Sequence, residues 1–177
     1  LACRQSGARL VHYSTDYVFD GRGNQPYRED AITAPLGVYG ASKLAGELAI
    51  HNSGAHYAIL RTAWVYAAQG KNFLLTMLRL AAERDALQVV ADQIGAPTPA
   101  AWIADASAHV LQQGVRDSGI WNVVAAGQTS WHGFAEAIIE QAHALGMLAR
   151  KPQVLAIPTS AYPTPARRPA YSVLETQ

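Results

Sequence analysis

Tyr39 and Lys43 stand four residues apart in the run Tyr39-Gly-Ala-Ser-Lys43. On a helix that spacing puts both side chains on one face, one turn apart. An ammonium beside a phenol favours the phenolate, so such a tyrosine can pass a proton to a carbonyl oxygen that is receiving hydride. The pattern Y-x-x-x-K also arises by chance, and a surface lysine near a partly buried tyrosine is the competing reading. A second group stands beside it. Ser14-Thr15-Asp16-Tyr17-Val18-Phe19 closes an apolar run, and Thr15 precedes Tyr39 by 24 residues. A hydroxyl at the carboxyl end of a strand can hydrogen-bond a substrate carbonyl, because open α/β sheets take their ligands there. Ordinary strand-end turn chemistry is the alternative for Ser14 and Thr15.

The elements that must position these groups follow from pattern. Arg9–Ser14 reads as a buried strand, and Tyr39–Asn52 as a helix with Leu44, Leu48 and Ala49 near helical spacing. Between them lies a long connection, of the kind that is usually functional in a compact domain. Tyr57–Tyr66 is a second strand running into a loop. Asn72 suits the N-cap of a helix over Phe73–Arg84. Leu87–Ala91 is a third strand, and a turn-rich loop follows over Asp92–Pro99. Thr98 suits the cap, and Pro99 the first position, of a helix to about Gly114. Gly119–Val124 is a strand. Ser130 caps a helix over Trp131–Ala144, with Phe134, Ile138, Ala142 and Leu145 on one face. Val154–Ile157 is the last strand. The tail from Pro158 carries four of the nine prolines and reads as irregular. Alternating strands and helices with short connections predict an α/β fold with a mainly parallel sheet.

Composition narrows the function classes. The chain of 177 residues is half apolar and 15% charged, with a net charge of +1. That describes a globular protein and excludes the basic patches expected of a nucleic-acid or membrane-surface binder. No apolar run approaches the roughly 20 residues of a membrane span. The single Cys3 allows no internal disulfide and fits a reducing, cytoplasmic setting. The six histidines lack metal-ligand spacing, so no metal site is expected. Leu1–Ser6 reads as the last turn of a helix with Gly7 as its cap, so the chain reads as starting within a larger unit.

The motifs STDYVFDG, a Gly-rich loop ending in Pro-Tyr-Arg-Glu-Asp30, Pro35 and YGASKLAGE resemble the nucleotide-sugar branch of the extended short-chain dehydrogenases/reductases. RTAWVY (61–66), GKNF (70–73), ADQIGAPTPA (91–100) and RRPAYSVLET (167–176) resemble the dTDP-4-dehydrorhamnose reductases within it. The likeness covers nearly the whole chain in order. It implies the C-terminal part of an NAD(P)-binding Rossmann fold plus a small substrate-binding subdomain. Residues 1–90 would be the C-terminal half of the Rossmann-type domain, and 91–177 mainly the nucleotide-sugar-binding part, the two interleaving along the chain. It implies reduction of dTDP-4-dehydro-6-deoxy-L-mannose to dTDP-L-rhamnose with NADPH or NADH.

The same resemblance assigns roles. Tyr39 would be the proton donor, Lys43 would lower its pKa and hold the nicotinamide ribose, and Thr15 would orient the 4-keto group. Trp64 would pack against the sugar ring, with a core tryptophan as the alternative. Asp16 would bond sugar hydroxyls or cap the turn. Gln93, Gly95, Pro97 and Thr98 would meet the nucleotide end, and Arg168 the diphosphate, a solvated tail arginine being the alternative. The family's Gly-rich phosphate turn does not occur in this sequence, so most of the cofactor site would lie in a segment before Leu1. The strand Arg9–Ser14 would then have an open edge, to be covered by a second copy or by that N-terminal half. Two rival readings remain: another nucleotide-sugar epimerase or dehydratase, and a regulatory binding subunit. Dehydratases carry Asp-Glu after the threonine, where this chain has Asp16-Tyr17.

Overall fold

The computed structural model describes residues 2–112 and 118–176. It begins with one helical turn, α1 (Ala2–Ser6), followed by Gly7 at positive φ. β1 (Leu10–Thr15) runs directly into a 3-10 turn over Asp16–Val18. After the long connection come α2 (Val38–His51) and β2 (Tyr57–Thr62), the most deeply buried strand. β3 (Val65–Tyr66) precedes α3 (Phe73–Glu83), whose N-terminus is capped as expected: Asn72 Oδ1 accepts from the Leu75 N–H at 3.2 Å. β4 (Ala86–Val90), β5 (Ile94–Gly95) and β6 (Thr98–Pro99) lead into α4 (Ala100–Gln112). The expected end of that helix near Gly114 lies outside the described residues. β7 (Gly119–Asn122), β8 (Thr129–Ser130), α5 (Trp131–Ala144) and β9 (Gln153–Ile157) complete the order, and Ser130 caps α5 through the Gly133 N–H.

The pairing is mainly parallel. β1, β2 and β7 form one sheet in that order, with Thr15 opposite Thr62 and Leu60 opposite Trp121. β3–β6 and β4–β9 are parallel pairs, and β5–β8 is antiparallel. Among the described residues, the outer edge of β1 carries no further strand.

Two apolar clusters support this arrangement. The larger joins α3, β4 and α5 through Met77, Ala81, Leu87, Val89, Ile138 and Ile139. The smaller joins Val18 and Phe19 to Leu174 of the tail. Packing crosses residue 90 in both directions: α3 and β4 associate with α5 and β9, while β7 returns to the sheet of β1 and β2.

Three local expectations change. Thr98 does not cap α4. Its Oγ1 donates to the Ala96 carbonyl at 3.0 Å and accepts from the Ala125 N–H at 3.2 Å, which ties β6 to the segment after β7, and the helix starts at Ala100. On α2 the buried residues are Gly40 and Glu47, whereas Leu48 is 54% exposed. On α5 Leu145 lies past the helix end and faces solvent, and Ala135 and Ile139 fill the core instead. No helix among the described residues is long and apolar enough to cross a membrane.

Candidate active site

The carboxyl end of β1 is a buried polar cluster. Ser14, Thr15 and Asp16 are 3%, 5% and 2% exposed. Thr15 Oγ1 donates to Asp16 Oδ1 at 2.9 Å and accepts from the Tyr17 N–H at 3.2 Å, so it caps the 3-10 turn. Ser14 Oγ, Asp16 Oδ2 and Thr62 Oγ1 are buried and have no hydrogen bond of acceptable geometry among the described residues. Buried polar atoms are nearly always paired. Three without a good bond among the described residues, at the adjoining ends of β1 and β2, mark a place where a polar ligand can complete the bonding. Burial pushes the Asp16 carboxyl up to about 6, with the Ser172 and Thr15 hydroxyls opposing the rise.

α2 brings the second group to this end of the sheet. A Cβ at Gly40 would collide with the Tyr17 carbonyl oxygen, so only glycine lets the helix approach this closely. The approach sets Tyr39 edge-on to Tyr17, with ring centroids 5.8 Å apart, and leaves Tyr39 56% exposed. Lys43 Nζ donates to the Tyr13 carbonyl at 2.5 Å. An ammonium has three donors, and this bond uses one of them. One turn further on, Glu47 meets Arg61 of β2 in a bidentate pair, Nε–Oε1 3.0 Å and Nη2–Oε2 2.7 Å. Both side chains are 3% exposed. Arg61 Nη1 also donates to the Glu29 carbonyl at 2.9 Å, and Glu29 Oε1 accepts from the Asn122 N–H at 3.0 Å. The ion pair thus pins α2, and with it Tyr39 and Lys43, to the centre of the sheet and to the long connection.

A cleft of about 900 Å³ opens between α3, β4 and the tail. Phe73, Gln93, Trp131 and Arg168 are among the residues lining it. The Gln93 amide is engaged at both ends: Nε2 donates to Thr159 Oγ1 at 3.0 Å, and Oε1 accepts from Trp131 Nε1 at 3.2 Å. Trp64 stacks on Trp131 with centroids 3.6 Å apart, and Gly95 packs directly on its indole. The Tyr17 phenol links cleft and strand end electrostatically. Burial and the Asp16 charge raise its pKa, and the positive charge of Arg168 pulls the other way.

Of the residues expected from sequence, Thr15, Asp16, Tyr39 and Lys43 gather at one end of the sheet. Gln93 and Arg168 line the cleft. Trp64 and Gly95 are packed on each other, Thr98 is 1% exposed and internally bonded, and Pro97 is half-buried. Sequence reasoning missed Glu47, Arg61 and Trp131. A signal existed for the first two: Glu47 continues the Tyr39, Lys43 spacing by another four residues, and Arg61 interrupts the apolar run Tyr57-Ala-Ile-Leu60, where a charge needs a partner. Among the described residues no three His, Cys, Asp or Glu side chains form a group that could hold a metal.

Known proteins resemble this chain in sequence and fold. A reductase of Burkholderia thailandensis, named dTDP-4-dehydrorhamnose reductase, is 52% identical over 185 residues, covering 99% of this chain and 62% of its own. The dTDP-4-dehydrorhamnose reductase of Escherichia coli is 48% identical over 179 residues, 99% of this chain and 60% of its own. The crystal structure of dTDP-4-dehydrorhamnose reductase from Bacillus anthracis in complex with NADP superposes with a TM-score of 0.92 at 38% identity, over 99% of this chain and 60% of that one. The chain thus spans about 60% of the length of the relatives it matches. The family model described as the RmlD substrate binding domain matches residues 1–177, and the chain belongs to that family.

Proposed function

We propose that this chain is the proton-donating and sugar-binding part of an NADPH-dependent dTDP-4-dehydrorhamnose reductase, which converts dTDP-4-dehydro-6-deoxy-L-mannose to dTDP-L-rhamnose. The observation that carries the reading is the meeting, at one sheet end, of the Tyr39–Lys43 face with buried hydroxyl and carboxyl oxygens that have no good hydrogen bond among the described residues. The names of relatives at about half identity support the substrate, and the NADP-bound relative supports the cofactor.

The residues present fit the reactive end of a nicotinamide cofactor. Tyr39 is open to a ligand beside the strand ends, and Lys43 keeps donors beyond the one bonded to Tyr13. When bound, the nicotinamide supplies the hydride that reaches the sugar C4. Tyr39 gives its phenolic proton to the C4 oxygen as that oxygen gains charge. Lys43 offers hydrogen bonds to the ribose, and its positive charge offsets the negative charge left on Tyr39. Thr15 turns its O–H from Asp16 Oδ1 to the 4-keto oxygen, and Asp16 takes hydrogen bonds from sugar hydroxyls in exchange. Arg168, with its fork of donors, suits the paired diphosphate oxygens at the cleft. Gln93, Gly95, Pro97 and Thr98 act mainly as the packed wall of the nucleotide end. The open edge of β1 is the seam where the rest of the protein, or a second copy, adds a strand.

The test joins this chain to the segment its relatives carry beyond it and follows NADPH consumption with the dTDP-4-keto sugar. Turnover is expected, and Tyr39→Phe should cut kcat by on the order of 10² or more in a folded protein. A Tyr39→Phe enzyme as fast as the wild type would refute the assignment.

A further inference from the structure

Trp64 is the one non-glycine residue at positive φ among the described residues, at 47°. For a bulky side chain that conformation is strained, and it persists only where the surroundings impose it. Two contacts do so here. Trp131 stacks on the indole with its plane 5° from parallel. Gly95 presses on the same ring so closely that a Cβ would collide with Cε2.

Trp131 is in turn fixed by a chain of bonds. Its Nε1–H donates to Gln93 Oε1 at 3.2 Å. Gln93 Nε2 donates to Thr159 Oγ1 at 3.0 Å, and that hydroxyl donates to Asp92 Oδ1 at 2.6 Å. Phe73 tilts against Trp131 with centroids 4.7 Å apart. The two tryptophans sit differently with respect to the site. Trp131 lines the cleft together with Gln93 and Arg168. Trp64 follows Thr62, whose unpartnered hydroxyl lies at the end of β2 opposite Thr15. The stacked pair therefore spans from the cleft to the strand ends.

We propose that Trp131 is a positioning residue. It holds the Trp64 indole, and with it the strained turn that leaves β2, so that cleft and strand end keep the one register a single ligand needs. The proposal rests on the reading that both serve one nucleotide-sugar. Trp131 acts through Trp64 and need not touch the reacting atoms. A misplacement of about 1 Å at such a distance can lower a rate by on the order of 10²-fold, so the effect is measurable.

The test uses this chain joined to the segment its relatives carry, as wild type, Trp131→Leu, Trp131→Phe and Gly95→Ala. Stacked indoles couple, so the wild type should show an exciton couplet in ultraviolet circular dichroism, absent from Trp131→Leu. Trp131→Leu should lose about tenfold or more in kcat with little change in the KM for NADPH. Trp131→Phe restores an aromatic face and should recover most of the rate. Gly95→Ala leaves Trp131 intact but displaces the Trp64 ring from the other contact. It should weaken the couplet and lower kcat as Trp131→Leu does, and it covers the case in which Trp131→Leu fails to fold. A purely structural role for Trp131 would instead lower stability while the folded fraction kept wild-type kcat, and that result, from Trp131→Leu or Gly95→Ala, overturns the proposal. An inactive wild-type protein would overturn the functional reading and this inference together. An active wild type with equally active variants would overturn this inference alone.

Discussion

Replacing Asp16 by asparagine should stabilise the chain at neutral pH and leave it unchanged in acid. Asp16 is 2% exposed, and among the described residues only its Oδ1 has a good hydrogen bond, from Thr15. Burial raises its carboxyl from 3.8 to about 6 in the folded chain. The folded state therefore holds this proton more tightly than the unfolded state does. Below about pH 4 both states are protonated, and the group costs no stability. As pH rises from there to about 6, the unfolded chain gains by ionising while the folded chain resists, so stability falls; above that the loss is complete. The gap between 3.8 and about 6 corresponds to about 3 kcal/mol at about 1.36 kcal/mol per pH unit. Asparagine keeps the shape and an acceptor for Thr15 but cannot ionise. Its amide nitrogen replaces Oδ2, which has no good partner in any case, so any packing difference is constant with pH. Urea denaturation of both proteins from about pH 4 to pH 8 measures the difference. It should open from near its acid value to about 3 kcal/mol in favour of asparagine across the range named above. A difference that stays flat, or that moves toward the wild type as pH rises, would show that Asp16 is solvated or paired and would remove the reason to place a ligand there. In the completed enzyme the same substitution should weaken sugar-nucleotide binding, since it removes one anionic acceptor.

Three other outcomes follow from the same geometry. Glu47→Leu leaves the Arg61 charge buried and alone and should lower stability by about 3–5 kcal/mol, while Glu47→Leu with Arg61→Met should recover most of it; a denaturant double-mutant cycle reads the coupling. Gly40→Ala drives a Cβ into the Tyr17 carbonyl and should destabilise by about 1–3 kcal/mol, read as a lower melting temperature, with Lys43→Ala reserved for the separate loss of cofactor affinity in the completed enzyme. The 177-residue chain by itself should show no NADPH binding by calorimetry, because its sequence holds no Gly-rich phosphate turn, yet should bind dTDP weakly; micromolar NADPH affinity would disprove this.

The legible parts of the fold were those that depend on neighbours in sequence. Asn72 and Ser130 cap helices where their types and positions say they should, since a cap is satisfied within three residues. The five expected strands start within a residue of their positions, because apolar runs bounded by turn formers are local as well; the second ends at Thr62 instead of Tyr66, and the two-residue strands β3, β5, β6 and β8, which depend on distant partners, were not foreseen. The errors have one cause. Thr98 looks like a cap from its neighbours but is claimed by Ala125, 27 residues away. Leu48 looks like a core residue of α2, yet Glu47 takes the buried face because Arg61, 14 residues on, offers two hydrogen bonds and a charge. Trp64 is a separate case: it has the type and place of a sugar-stacking residue, and in the fold its ring stacks on Trp131 and packs on Gly95.

The same distinction separates the chemistry of the site from its geometry. Tyr39, Lys43, Thr15 and Asp16 have types that can move a proton or hold a hydroxyl, and their spacing on one helix and one strand end is written in the chain. What fixes their distances is a set of residues that do no chemistry. Gly40 sets how far α2 stands from the strand-end turn. The Glu47–Arg61 pair sets how α2 sits along β2. On the other side Gly95 and Trp131 fix Trp64 against the cleft. Each is a close approach or a buried charge, and each tolerates little change: a methyl group at either glycine has no room, and a lone charge at 47 or 61 has no partner. These residue types could drift by a residue and still look plausible in a sequence. The contacts beneath them could not drift at all without moving the helix that carries Tyr39 and Lys43.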